Sequence, residues 1–298
     1  MAIISASYKT DIPAFYGQWF MNRISAGYCK MMNYYSKASK YVSLEPKDVD
    51  GIVFWTKDAS PFMKSLNKLA IWHYPYIIHY TVNNYPRYLE PAVPPAEMSV
   101  SNMQRLSKYG SRVVVWRYGP IIFTEEMTPE FHISNFGSLA SKLAGSTDEV
   151  VVSFLQEYES TKRRTLGIVS EQVDVKHELL GNLASVAKDY GMKLSICSQE
   201  EFANKDIHKA SCVDIARLSD VAGKPIIGKK RGNRPGCMCY ESIDIGDYNT
   251  CLHGCTYCYA TRNMFLANKN MREHNVDSEF LCEGNYEILR GVKSDSGG

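Results

Sequence analysis

Short apolar runs alternate with helical segments through the first two hundred residues of this 298-residue chain, and that alternation restricts the fold more than any other feature. Runs at residues 3–7, 28–32, 41–44, 51–55, 76–82, 112–117, 149–155 and 193–197 are rich in β-branched or aromatic side chains, as strands are. Helices are expected from Pro13, from near Pro61, and over 96–109, 129–143 and 171–190. Proline suits a first helical turn, and Gly191 reads as a C-terminal stop. Strands that are nearly all apolar and separated by helices imply a parallel sheet covered on both faces. With no glycine-rich dinucleotide turn, the pattern favours an α/β fold of the (β/α) barrel or partial-barrel kind. Roughly six to eight parallel strands are expected.

From Ala222 the character changes. Residues 1–221 read as the barrel body, and 222–298 as a cysteine-rich, cluster-binding segment packed on it or completing it. Lys229, Lys230, Arg231 and Arg234 make a basic, glycine- and proline-rich loop leading into the cysteines. Such a loop is most often solvated surface, with phosphate or nucleic-acid contact the lesser alternative. The net charge of +2, from 34 basic and 32 acidic side chains, neither demands nor excludes nucleic acid. The opening residues lack the pattern of a secretory signal, and no apolar run approaches a membrane span. A cytoplasmic protein is expected, with residues 294–298 frayed.

Five of the nine cysteines fall between residues 237 and 258. Cys251, Cys255 and Cys258 are spaced x3 then x2, and three thiols can converge on a four-iron cube while leaving one iron without a protein ligand. Two other readings stand beside this one. Cys237 and Cys239 can close the set, giving structural zinc or an electron-transfer cluster, or all five can be unrelated reduced thiols. Zinc is the weaker inference, because its sites prefer paired C-x2-C knuckles. Cys237 and Cys239 are also candidates for a second metal or for redox thiols. Cys29, Cys197, Cys212 and Cys282 are scattered and read as buried packing residues.

In a barrel, reactive groups gather where strands meet the loops that follow them. Those places carry Ser7, Lys9, Thr10 and Asp11, then Thr56 and Lys57, His79 and Thr81, Arg117 and Tyr118, Gln156 and Glu157, and Ser198 and Gln199. Singly, each is explained as a helix cap or loop hydrogen bond. Together they form a plausible polar pocket. Lys9, Asp11, Lys57 and Arg117 are the favoured members, suited to an anionic substrate or the carboxylate of a cofactor.

Residues 248–260, Tyr-Asn-Thr-Cys-Leu-His-Gly-Cys-Thr-Tyr-Cys-Tyr-Ala, resemble the cluster loop of radical S-adenosylmethionine enzymes in flanking residues as well as spacing. The resemblance implies that Cys251, Cys255 and Cys258 hold a [4Fe–4S] cube whose open iron chelates S-adenosylmethionine, with Tyr257 near the adenine. It also implies cleavage of the cofactor to a 5′-deoxyadenosyl radical, a reductant such as a flavodoxin or ferredoxin, and a substrate of unspecified class. Over nearly its full length the chain is similar to a bacterial family, domain of unknown function 1848. That likeness rests on residues 3–7 with 10–16, on Val53-Phe54-Trp55-Thr56-Lys57, on Trp116-Arg117-Tyr118 and on residues 237–260. Two positions depart from the pattern: Tyr8-Lys9 stands in place of two arginines, and Gly119 in place of an aspartate. If those family positions bind substrate, the departures imply altered specificity or impaired activity. Radical enzymes of this kind carry the cysteine loop after the first barrel strand, whereas here it comes last. A circularly permuted barrel is therefore expected, with residues 243–248 as its first strand, a helix beginning at 264–269, and residues 3–7 paired beside that strand.

Overall fold

The computed structural model describes residues 1–32, 38–156 and 167–282. Glu157 and residues 294–298 lie outside them. The main sheet has eight strands: β1 (Ala2–Ala6), β4 (Val49–Thr56), β5 (Tyr76–Thr81), β6 (Val114–Ile121), β7 (Glu149–Phe154), β8 (Lys193–Ile196), β9 (His208–Lys209) and β10 (Ile243–Asp244). All its ladders are parallel, and the spatial order is β10-β1-β4-β5-β6-β7-β8-β9. Apart from β10, the strands lie side by side in chain order. Among the described residues no ladder joins β9 to β10, so the sheet is an α/β parallel array with two ends.

The runs at 28–32 and 41–44 do not enter this sheet. They form a separate antiparallel pair, β2 (Tyr28–Met32) and β3 (Ser39–Ser43).

The helices are α1 (Ile12–Phe15), α2 (Gly17–Ala26), α3 (Met63–Ile71), α4 (Ala96–Leu106), α5 (Pro129–Leu143), α6 (Val173–Asp189), α7 (Ile215–Ala222) and α8 (Met264–Glu273). Their starts follow local chemistry. Pro129 opens α5 and the Thr128 hydroxyl accepts from the Phe131 amide, while Asp214 and Asn263 cap α7 and α8 in the same way. Right-handed crossovers between neighbouring parallel strands place intervening helices on one face. That face holds the larger core, in which Ile4, Phe54, Ile78, Trp116 and Val152 pack with Phe20, Leu66, Met103, Phe136 and Leu183.

The alternate residues of the same strands, Ile3, Val53, Ile77, Val115 and Val151, form a second core with Val213, Leu218 and Ile226. Thus α7 and the segment around it cover the opposite face. Gly51 in β4 makes room for that cover, since a Cβ there would stand 2.8 Å from Leu218 Cδ2.

The expected pairing of the first strand with the strand before the cysteine loop is present. Ile4 pairs with Ile243 and Ser5 with Asp244. β10 stops sooner than expected, because the Asp244 carboxylate turns the backbone by accepting the Gly246 amide at 3.1 Å. α8 begins at Met264, as expected. β6 runs further than expected, to Ile121. The Asn83 amide bonds both the N–H and the carbonyl of Gly119, standing in for a strand partner across that irregularity.

Candidate metal centre

The cysteine loop occupies the turn between β10 and α8, and polar bonds to the start of the chain hold it there. Asp244 accepts the Ser5 hydroxyl at 2.6 Å, the Ser7 hydroxyl at 2.9 Å and the Tyr8 amide at 3.0 Å. The Thr10 hydroxyl donates to the Asp247 carbonyl and accepts its amide. The Tyr16 hydroxyl donates to the Thr250 carbonyl at 2.9 Å. Asn249 closes the loop. It sits at φ +54°, where asparagine is tolerated, and its side-chain oxygen accepts the amides of Arg262 and Asn263.

The proline-rich segment after β5 lies over the same loop. The Thr256 amide donates to the Leu89 carbonyl at 3.0 Å, and the Ala92 amide to the His253 carbonyl at 3.1 Å. Gly254, at φ +70°, passes under Pro91, whose Cγ would stand 3.2 Å from any Cβ added there.

Two charged groups form the wall. Asp11 caps α1 through the Ala14 amide and accepts the Lys57 amide at 2.7 Å. Its carboxylate also lies 2.8 Å from His253 Nε2, so one buried side chain ties α1, the end of β4 and the cysteine loop. Lys57 Nζ lies 2.7 Å from Glu90, whose carboxylate also takes the Asn83 amide at 2.8 Å and the Tyr257 hydroxyl. Burial disfavours both charges. The pairing outweighs it, holding the Lys57 pKa above and the Glu90 pKa below their ordinary values.

The three thiols share this setting. Cys255 is buried, and Cys251 and Cys258 are half-buried. Burial pushes the Cys255 thiol up to about 12; Lys57 opposes the rise, and Glu90 and Cys258 add to it. Burial also raises Cys251 well above the thiol range, with Asp11, Cys258 and Cys255 contributing. The three sulfurs therefore lie within electrostatic reach of one another. Cys258 Sγ accepts the Thr261 amide at 3.4 Å. Backbone N–H groups aimed at sulfur suit thiolates that ligate a metal. Among the described residues, no three histidine, cysteine, aspartate or glutamate side chains already stand as a single-ion site.

A family model, Domain of unknown function (DUF1848), matches residues 3–260. The chain belongs to the DUF1848 family. The match takes in both the first strand and the cysteine loop that pairs against it. No curated protein and no solved structure matches the chain.

The other residues singled out from the sequence divide in two. In this DUF1848 chain, Lys9 is at the loop, with Nζ 3.5 Å from Asp244 and over the rings of Tyr8 and Tyr248. Arg117 and Tyr118 point to opposite faces, as successive strand residues must. Arg117 Nη1 donates to Cys212 Sγ at 2.9 Å on the α7 side. Tyr118 packs among the helices, with its hydroxyl 2.8 Å from His132 Nδ1. His79 Nε2 meets the Cys212 carbonyl at 2.7 Å. Thr56 and Gln199 accept backbone amides, as loop-satisfying residues do. In the basic loop, Arg231 pairs with Glu241 and Arg234 bonds Gln156. Among the described residues, no helix is long and apolar enough to cross a membrane.

Sequence reasoning missed Asn83 and Glu90, which sit in a stretch legible only as loop, and Asp244, whose neighbours in space are some 240 positions away. It also scattered Cys197 and Cys212. The structure groups them with Cys237 and Cys239.

Proposed function

We propose that this DUF1848 protein is an iron–sulfur enzyme in which Cys251, Cys255 and Cys258 hold a [4Fe–4S] cluster with one open iron that binds S-adenosylmethionine. The observation that carries the reading is the seating of the three-cysteine loop at the C-terminal end of β10, against the first turn after β1. Counting β10 as a first strand puts the whole sheet in consecutive order, with the loop between that strand and its helix α8. This order supports a permuted partial barrel, whose reactive groups belong at the strand C-termini.

When bound, the cluster and cofactor supply one-electron cleavage of the sulfonium C–S bond, generating a radical that takes hydrogen from the substrate. The chain's own residues position and insulate that chemistry. Asp11 holds His253, and through it the cysteine loop, with a carboxylate that three donors fix in place. Lys57 and Glu90 form a neutral, nearly buried pair beside Cys255, which keeps water away from the sulfur. Lys9 is loosely held and is suited to the carboxylate of the cofactor or substrate.

The test is anaerobic reconstitution with iron and sulfide, then electron paramagnetic resonance of the reduced protein with and without S-adenosylmethionine. A four-iron signal that shifts on addition and is lost in Cys255→Ala supports the reading. A signal indifferent to S-adenosylmethionine, or stoichiometric zinc at these three cysteines, overturns it.

A further inference from the structure

Four cysteines that are spread over more than forty positions come together beneath the end of β8. Cys197 Sγ and Cys212 Sγ lie 3.7 Å apart. Cys239 Sγ accepts the Cys212 amide at 3.2 Å, and Cys237 stands two residues before it on the same segment. Gly236, at φ +71°, brings the Cys237–Cys239 segment against Ser198, whose carbonyl oxygen lies 3.3 Å from the position of an added Cβ.

Three of the four sulfurs have a donor aimed at them. Arg117 Nη1 reaches Cys212 Sγ at 2.9 Å, and Arg234 Nη2 reaches Cys197 Sγ at 3.6 Å. Cys239 Sγ accepts the amides of Cys212 and Val213 at 3.2 and 3.5 Å. Neutral thiols are poor acceptors and do not require such a shell. Cys29, in contrast, is buried within the large hydrophobic core. Two guanidinium groups and two backbone amides around three of the sulfurs suit a group of thiolates.

We propose that Cys197, Cys212, Cys237 and Cys239 form a second metal centre, separate from the three-cysteine loop and closed by four protein ligands. Four soft sulfur donors select a thiophilic metal, either one tetrahedral zinc ion or a four-iron cube. The balance is the same for both. A dication, or the 2+ cubane core, displaces four thiol protons and leaves a centre of net charge −2, which Arg117 and Arg234 neutralise. The 3.7 Å contact matches the sulfur–sulfur edge of a tetrahedron with metal–sulfur bonds of about 2.3 Å, which is about 3.8 Å, and favours the single ion. The sulfurs run as a chain and do not yet converge on one point. Closure needs rotation of Cys237, which is only half-buried. Filled, the centre pins the cover of the sheet's second face to the ends of β6 and β8.

The experiment uses the full chain carrying Cys251→Ala, Cys255→Ala and Cys258→Ala, purified anaerobically and loaded in parallel with zinc alone or with iron and sulfide. Metal and sulfide are then counted after gel filtration against a chelator. One zinc per chain, or four irons with four sulfides, is expected, falling at least tenfold when Cys197→Ala and Cys212→Ala are added. Because these variants can unfold, circular dichroism accompanies each one. Alkylation of the wild-type chain gives a second readout, in which the four thiols are protected together and become reactive together after chelation. A folded triple variant that retains neither metal overturns the proposal. So does metal that survives loss of Cys197 and Cys212, or a Cys197–Cys212 disulfide in the metal-free chain. Since the background lacks the three-cysteine loop, failure here leaves the proposed function standing, and the reverse also holds.

Discussion

Lys57 and Glu90 form an ion pair with N···O 2.7 Å and side-chain exposures of 15% and 4%. Through Tyr257 the pair is joined to the cysteine loop and through Asn83 to Gly119. A buried pair is weak evidence for net stability, but breaking one strands a charge.

Glu90→Ala is therefore expected to cost about 3–5 kcal/mol, because it leaves the Lys57 ammonium buried without a partner. Lys57→Met combined with Glu90→Gln removes both charges and keeps acceptors for Asn83 and Tyr257. That double variant should lose clearly less than the single Glu90→Ala change. Guanidinium unfolding of the variants checks this, and a double variant as unstable as the single one would count against it.

Asp244 is the bolt between β10 and β1. Asp244→Ala leaves the buried Ser5 and Ser7 hydroxyls and the Tyr8 and Gly246 amides without their acceptor, at about 1–3 kcal/mol for each group that finds no water. Hydrogen exchange should speed up first at the Ile245 amide, which bonds the Ser5 carbonyl at 3.0 Å. If exchange there matched the wild type, Asp244 would not be holding the strand. Gly246→Ala should be at least as damaging, since its Cβ would fall 2.0 Å from Ser7 Oγ.

Much of the sheet was legible because its strands are continuous apolar runs, and Pro129, Gly191 and Met264 mark helix boundaries that the chain respects. The β1–β10 pairing was reached by a different route, from the displaced position of the cysteine loop. Side-chain direction was less accessible. Arg117 and Tyr118 are adjacent in sequence yet serve opposite faces of the sheet. The grouping of Cys197 and Cys212 with Cys237 and Cys239 has no spacing signature, because three separate loops bring it about. Glu90 looked like one acid in a proline-rich stretch, and only the path of that stretch over Thr256 gives it meaning.

Arg217 anchors α7 to the sheet. Its guanidinium bonds Asp148 and Glu149 at 2.7 Å and the Arg112 carbonyl at 3.0 Å, almost wholly out of water. Arg217→Met should destabilise the protein by about 3 kcal/mol, with exchange across 215–222 rising before that in β4 and β5. Uniform loosening of all three elements would show that α7 is not a separate unit.

The final expectation concerns pH. His132 is buried, its Nε2 is 2.9 Å from the Ile122 carbonyl, and its Nδ1 is 2.8 Å from the Tyr118 hydroxyl. A carbonyl only accepts, so Nε2 carries the proton and Nδ1 accepts from tyrosine. Burial, partly opposed by the Ile122 bond, lowers the imidazole pKa to about 4. Above pH 6.5 the ring is neutral whether the chain is folded or not. Below 6.5 the unfolded chain takes up a proton that the folded chain refuses until about pH 4. Stability is therefore full at neutral pH and declines through this window, by about 1.4 kcal/mol per pH unit from this residue alone. His132→Gln abolishes the titration. Unfolding free energies measured at pH 7 and pH 5 should fall by about 2 kcal/mol less in the variant than in the wild type. His79, also driven well below the ordinary value by burial, acts in the same direction in both proteins and cancels from the comparison. Equal declines would mean that the imidazole is protonated in the fold, and that the Tyr118 hydroxyl turns to accept from it.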